Sequence, residues 1–282
     1  MQQMGPFIET LTHRWRSSGS LLCVGLDPDA DKLPPSLRTQ RAPLLAFNRA
    51  IIDATAQWAC AFKVQISHYA AFGAERQLER TSADIMRRYA DTPVILDAKR
   101  GDIGATARMY AREAFERYQA DAVTVNPYLG GDALAPFLEY ADNGVFVLCR
   151  TSNPGSGEFQ RLSSGGRTVA QHVAARAAGE WNGNRNVGLV VGATWPREIG
   201  AIRRLAGDLP LLIPGIGAQG GDLEAVLKNG LVAGGAGLII NISRGIIYAG
   251  AQDEDFAGAA GRAAQAWCGE INRHRGEAEA GR

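Results

Sequence analysis

Pro93-Val94-Ile95-Leu96-Asp97-Ala98-Lys99-Arg100-Gly101-Asp102-Ile103-Gly104-Ala105-Thr106 is the stretch on which the reading of this chain turns. Residues 93–96 are an apolar run with a β-branched core, the pattern of a buried strand. Residues 108–118 are rich in Ala, Arg and Glu and long enough for a helix. The charges between them therefore fall where a strand ends and a loop begins. Asp97 and Lys99 are two apart, so on an extended chain both point to one face. Gly101 permits a sharp turn that can bring Asp102 into play. A solvated turn would use the same residue types; the rest of the chain argues against that.

The strand-then-helix unit recurs along the sequence. Apolar runs at 21–27, 61–66, 122–127, 144–150, 187–192, 211–214 and 237–242 join the one leading into Asp97 and Lys99. Helical patterns at 44–58, 75–89, 108–118, 133–140, 169–181, after Pro196, at 222–228 and at 256–271 follow them in alternation. Residues 1–20 predict a lead-in helix with Phe7, Leu11 and Trp15 on one side. Residues 28–43 and 151–157 read as loops, and residues 273–282 as a frayed polar tail. Continuous apolar strands are those covered on both faces, as in parallel sheets. Eight such units match a (β/α)₈ TIM barrel, here expected as a single domain over residues 1–282.

In such a barrel the chemistry lies at the C-terminal ends of the strands. Asp27, Lys63, Asp97 with Lys99, Ser152, residues 192–194, the Gly215 loop and Arg244 all fall at or near those ends. Acid, base and acid at the ends of strands one, two and three point into one cup. Gly215-Ile216-Gly217-Ala218-Gln219-Gly220 spells G-x-G-x-x-G. It comes late in the chain, and the following strand ends in Ser243-Arg244 where a ribose-binding acid would be expected, so a dinucleotide fold is disfavoured. The loops after strands seven and eight of a barrel commonly bind phosphate. Backbone N–H groups at a helix start and the guanidinium of Arg244 both suit an anion. A phosphorylated substrate is expected.

Composition narrows the class. The formal charge is +1, leaving no nucleic-acid footprint. Cys23, Cys60, Cys149 and Cys268 are widely spaced in or beside apolar runs, as buried thiols of a reducing compartment are. Residues 1–9 lack the pattern of a signal peptide and no apolar stretch is long enough to span a membrane, so a cytoplasmic protein is expected. His13, His68, His172 and His274 show no ligand spacing, and no metal is assigned. Lys99 as a Schiff-base lysine would require a neutral, desolvated amine; the neighbouring acids and Lys63 point to a charged network instead.

Asp97-x-Lys99-x-x-Asp102-Ile103, with Lys63 one strand earlier and Asp27 before that, resembles the orotidine 5′-phosphate decarboxylase family. Residues 214–221 and Ser243-Arg244-Gly245 resemble its phosphate loops, and Thr151-Ser152-Asn153-Pro154-Gly155 its pyrimidine-contacting loop. The wording Asp-Ala-Lys-Arg-Gly-Asp and the chain length resemble the longer bacterial subgroup. The resemblance implies decarboxylation of orotidine 5′-phosphate to uridine 5′-phosphate, the last step of pyrimidine synthesis, without metal or organic cofactor. It implies that Asp97 faces the departing carboxylate, that Lys99 protonates C6, and that Lys63 and Asp102 complete the network. Asp102 would reach in from the partner subunit of a homodimer. Asp27 and Lys63 would hold ribose hydroxyls, Thr106 would line the site with Asp102, and Ser152 and Gln219 would contact the base. Gln219 and Arg244 would reach the phosphate, with Ile103, Pro214, Gly217 and Ser243 among the substrate contacts. A metal-dependent sugar-phosphate decarboxylase of the same superfamily carries an acid where Lys63 stands, as that family is known. A non-catalytic sensor of a phosphorylated ligand would have lost part of the set Lys63, Asp97, Lys99 and Asp102, all of which are present.

Overall fold

Short runs of Val, Ile and Leu form eight parallel strands that close on themselves in the computed structural model, which describes residues 5–217, 220–250 and 255–280. The strands are β1 Leu22–Leu26, β2 Ala61–Gln65, β3 Val94–Arg100, β4 Ala122–Val125, β5 Gly144–Arg150, β6 Val187–Val191, β7 Leu211–Pro214 and β8 Leu238–Ile242. Each pairs with its neighbour in sequence, and β1 pairs with β8. Every residue of β1, β6 and β8 is buried, as strands covered on both faces must be. This is the expected TIM barrel.

The lead-in helix α1 (Pro6–Ser17) precedes the barrel. The outer ring is α2 (Pro43–Thr55), α3 (Glu75–Arg88), α4 (Gly104–Arg112), α5 (Gly131–Leu138), α6 (Val169–Ala178), α7 (Pro196–Ala206), α8 (Leu223–Gly230) and α9 (Phe256–Ala280). Proline in the first turn of α1, α2 and α7 costs no hydrogen bond, because that N–H has no helical partner. Thr168 and Gln171 cap α6 reciprocally: each side chain accepts from the other's backbone N–H, at 3.2 and 2.9 Å.

Five stretches differ from the sequence reading. β3 continues through Lys99 to Arg100 rather than ending before the charges. α4 starts at Gly104 and widens into a π turn at Glu113–Arg117. Beyond the 151–157 loop the chain adds short turns and a two-stranded hairpin, Ser163–Ser164 against Arg167–Thr168; the 28–43 stretch likewise holds turns at Ala30–Lys32 and Pro35–Arg38. Residues 273–280, read as a frayed tail, extend α9, because Arg273 pairs with Glu277 one turn on at 3.2 Å and Ala278 packs on the core.

α1 packs through Phe7, Leu11 and Trp15, the spacing read from sequence. Gly144, which begins β5, leaves room for the Phe7 ring: a Cβ there would lie 2.4 Å from it. Phe7 meets Phe146 edge-on, with centroids 5.9 Å apart. The buried Arg14 donates to the carbonyls of Ala59 and Ala56 at 3.0 and 2.6 Å, and pairs with Asp91 at 2.7 Å. Truncating a buried aromatic costs about 3–5 kcal/mol when the site cannot collapse. Phe7→Ala is therefore expected to lower the urea-derived unfolding free energy by that order. A loss below about 1 kcal/mol would show that α1 unfolds separately from the barrel.

Candidate active site

A cavity of about 650 Å³ opens at the C-terminal end of the barrel, and every strand or the loop after it contributes to its wall. Of the residues expected in the site, Asp27, Lys63, Asp97, Lys99, Ser152, Pro214, Gly217, Ser243 and Arg244 line it together. Asp102, Ile103 and Thr106 do not. Asp102 instead accepts its own neighbour's N–H, from Ile103 at 2.8 Å, and the Ile103 side chain is exposed. Gln219 lies outside the described residues.

The charged side chains form an alternating row. Lys63 Nζ lies 3.5 Å from Asp27 Oδ1 and 3.0 Å from Asp97 Oδ2, and Lys99 Nζ lies 2.6 Å from Asp97 Oδ1. Lys63 is only 4% exposed and Asp97 8%. Burial alone would push the Lys63 ammonium down, but the carboxylates of Asp27 and Asp97 outweigh it and hold the group above the ordinary lysine value. Burial would likewise raise Asp97, yet Lys63 and Lys99 hold its carboxyl well below the usual carboxylate range. Both are thus ionised at neutral pH inside a largely apolar barrel.

The end of the cavity formed by the Gly215 loop and Ser243-Arg244 is built differently. Gly215 and Gly217 both have positive φ, 105° and 76°, conformations that glycine adopts without strain. Ser243 Oγ is buried and has no hydrogen-bond partner among the described residues, and Gly25 makes room for that side chain. An unpaired buried hydroxyl beside Arg244 suits an incoming anionic oxygen.

Several site residues escaped the sequence reading. Gln65, Thr124 and Asn241 line the cavity and are polar residues inside otherwise apolar strands, a signal available in the sequence. Asp29, Lys32 and His68 lie at the rim, where Tyr248 Oη accepts from the Asp29 N–H at 2.7 Å. Arg150, fully buried, holds the loop that carries Ser152. It donates to both oxygens of Glu198, at 2.6 and 3.3 Å, and to Ser156 Oγ and the Thr151 carbonyl, with Trp195 stacked 4.4 Å from its guanidinium. Nothing local distinguishes Arg150 from any cation at a strand end.

Residues 20–258 match the model of the Orotidine 5′-phosphate decarboxylase / HUMPS family. The chain is 56% identical over 269 residues to a protein of Ralstonia nicotianae named orotidine 5′-phosphate decarboxylase, covering 95% of this chain and 99% of that one. A similarly named protein of Dechloromonas aromatica is 54% identical over 269 residues, with the same coverage. Among solved structures, OMP decarboxylase of Leishmania donovani superposes with a TM-score of 0.83 at 41% identity, over 96% of this chain and 99% of that one.

The depressed Asp97 carboxyl makes stability depend on pH. Its ionised form stabilises the fold above the ordinary carboxylate pKa of about 4, and that contribution is lost as the pH falls toward the lower value it has in the folded protein. Asp97→Asn is therefore expected to be less stable than the unaltered chain at pH 7. The gap should begin to narrow once the pH drops below about 4, as followed by urea unfolding at a series of pH values. A gap that stays constant down to pH 3 would mean that Asp97 is not held ionised by its lysines.

Proposed function

The chain belongs to the Orotidine 5′-phosphate decarboxylase / HUMPS family, and from that premise we propose that it converts orotidine 5′-phosphate to uridine 5′-phosphate in pyrimidine synthesis. The observation that carries this reading is the row Asp27–Lys63–Asp97–Lys99 in the same cavity as Arg244 and the glycine loop. One end offers a fixed cation next to a fixed anion, and the other offers donors for a phosphate.

In this mechanism Asp97 faces the substrate carboxylate at C6. The bond from C6 to that carboxylate breaks, CO₂ leaves, and the electron pair stays on C6. Lys99 supplies the developing carbanion with a preorganised cation and then with a proton, which solvent restores. Charge stabilisation fixed in advance where charge develops is the largest device available to a site without an electron sink. Asp27 and Lys63 hold the ribose hydroxyls, Ser152 and Gln219 the base, and Pro214, Gly217, Ser243 and Arg244 the phosphate. Binding energy from that remote phosphate can be used at the reacting carbon.

Lys63 favours this reading over a metal-dependent relative. Its ammonium stands between the carboxylates of Asp27 and Asp97, where a metal would need further anionic ligands. Among the described residues no group of three His, Cys, Asp or Glu side chains is placed to hold an ion. The test is direct: purified chain, orotidine 5′-phosphate and excess EDTA, followed by ultraviolet absorbance. Turnover to uridine 5′-phosphate at an undiminished rate is expected. Activity that EDTA removes and a divalent cation restores would favour the metal-dependent reaction, and no turnover under either condition would favour a sensor.

The proposed working form is a homodimer of one-domain barrels in the cytoplasm. The four cysteines are unpaired, as in a reducing compartment, and no helix among the described residues is long and apolar enough to cross a membrane. Asp102 does not line its own cavity, and Ile103, Met109 and Tyr128, in the segments after β3 and β4, are exposed. In a two-fold dimer one patch serves both subunits, so Asp102 and its neighbours Ile103 and Thr106 would complete the partner's site. Co-expressed Lys99→Ala and Asp102→Ala chains then form mixed dimers in which one site carries both lesions and the other neither. With random pairing about a quarter of all sites are intact, and activity near that fraction is expected where each variant alone has almost none. Purified mixed dimers as inactive as their parents would place Asp102 in its own chain's site.

A further inference from the structure

β3 and β4 do not run in step. Leu96 pairs with Val123 and Arg100 with Val125, so four residues of advance on β3 match two on β4. The surplus is the segment carrying Asp97, Ala98 and Lys99. A bulge takes N–H groups out of the sheet ladder, and those groups then need other acceptors. It also bends the backbone: Lys99 has φ 46°, in the left-handed region that few residues other than glycine adopt cheaply. A non-glycine residue persists there when its surroundings over-determine it.

The residue opposite the bulge is Thr124, 1% exposed. Its Oγ1 accepts from the N–H of Ala98 at 3.0 Å and from the N–H of Lys99 at 2.9 Å. It donates to Asp97 Oδ1 at 2.9 Å, the same oxygen that receives Lys99 Nζ at 2.6 Å. A hydroxyl has one proton and two lone pairs, and all three are used here. One side chain therefore replaces the missing ladder bonds, pins the backbone that aims Lys99, and aims the carboxylate against which Lys99 is held.

We propose that Thr124 is a positioning residue for the decarboxylation, its hydroxyl fixing Asp97 and Lys99 in their reacting geometry by closing the β3 bulge. This rests on the roles of Asp97 and Lys99 proposed above. Thr124 touches the reacting groups of the protein and acts through them. Valine has nearly the same shape and lacks the hydroxyl, whereas serine keeps the hydroxyl and loses a methyl.

The test compares Thr124→Val, Thr124→Ser and Lys99→Ala in steady-state turnover of orotidine 5′-phosphate, with amide hydrogen exchange at Ala98 and Lys99 as a readout independent of activity. Misplacing a reacting group by about 1 Å costs on the order of 10²-fold in rate. Thr124→Val is expected to lose kcat on that scale with KM little changed, and to lose exchange protection at both amides. Thr124→Ser should recover most of both. The inference is overturned if Thr124→Val turns over like the unaltered chain, if it raises KM with kcat intact, if serine rescues nothing, or if protection at the two amides survives the valine. Should Lys99→Ala itself stay active, the assignment of Lys99 fails; loss of the two amide protections in Thr124→Val, restored by serine, would still separate a wrong catalytic role from a wrong reading of the bulge.

Discussion

Four charged side chains in line, Asp27, Lys63, Asp97 and Lys99, are the constraint on which the rest of the site depends. Each inner member is buried and would be driven toward its neutral form if left alone. Lys63 is held charged by acids on both sides, and Asp97 by cations on both sides. Removing an inner member takes a partner from two neighbours at once, and a buried charge left short of its partners is strongly destabilising. The row is therefore cooperative in a strict sense: its members are stable as ions together. A site that must present an anion and a cation to one carbon needs that property, since neither can be recruited from water at the moment of reaction.

The barrel supplies the row with rigid, separate supports. Asp27 follows β1, Lys63 lies within β2 and Asp97 within β3, so each comes from a different strand whose backbone is tied to two neighbours. Carried on one strand, four alternating charges would be strung out at every second residue along one face and could not gather at one end of the barrel. Parallel strands in register solve this: Lys63 pairs in register with Gly25 on one side and Ile95 on the other, leaving both acids offset along the axis and within reach. Below the row the interior is aliphatic and aromatic, down to Phe146 beside Phe7. The charges thus stand on a packed apolar floor and are open only toward the cavity.

Much of this was legible in the sequence, for reasons that also explain what was not. Strands covered on both faces give unbroken apolar runs, so all eight could be recognised, and charges that interrupt such runs at the same end of several strands stand out. Asp102, beyond Gly101, does not line its own chain's cavity. What depends on partners far along the chain stayed hidden. The β3 strand reads as ending at Leu96 because its continuation through Lys99 is held by Thr124 on the next strand and not by local pattern. Arg150 looks like an ordinary strand-terminal cation until Glu198, from α7, is folded against it. The end of α9 looks like a polar tail because its support comes from pairs one turn apart and from Ala278 alone on the core side. Local periodicity reports what a residue buries; it carries little about which distant group completes its hydrogen bonds.

The two ends of the cavity follow from that difference. The end proposed for the phosphate is made of backbone and small residues: positive-φ glycines, an unpaired serine hydroxyl and one arginine, all short-range features of a loop and a helix start. Such a surface has donors to offer an anion, the unpaired Ser243 hydroxyl among them. The reacting end is the opposite. Lys63, Asp97, Lys99 and Thr124 are bonded to one another, with both ammonium groups and the Thr124 hydroxyl converging on the Asp97 carboxylate. Its geometry is held by contacts within the chain, at the cost of a strained Lys99 backbone. Binding energy gathered at the loose end can then be applied against a tight end that does not yield, which is the condition for remote contacts to lower a barrier and not only a dissociation constant.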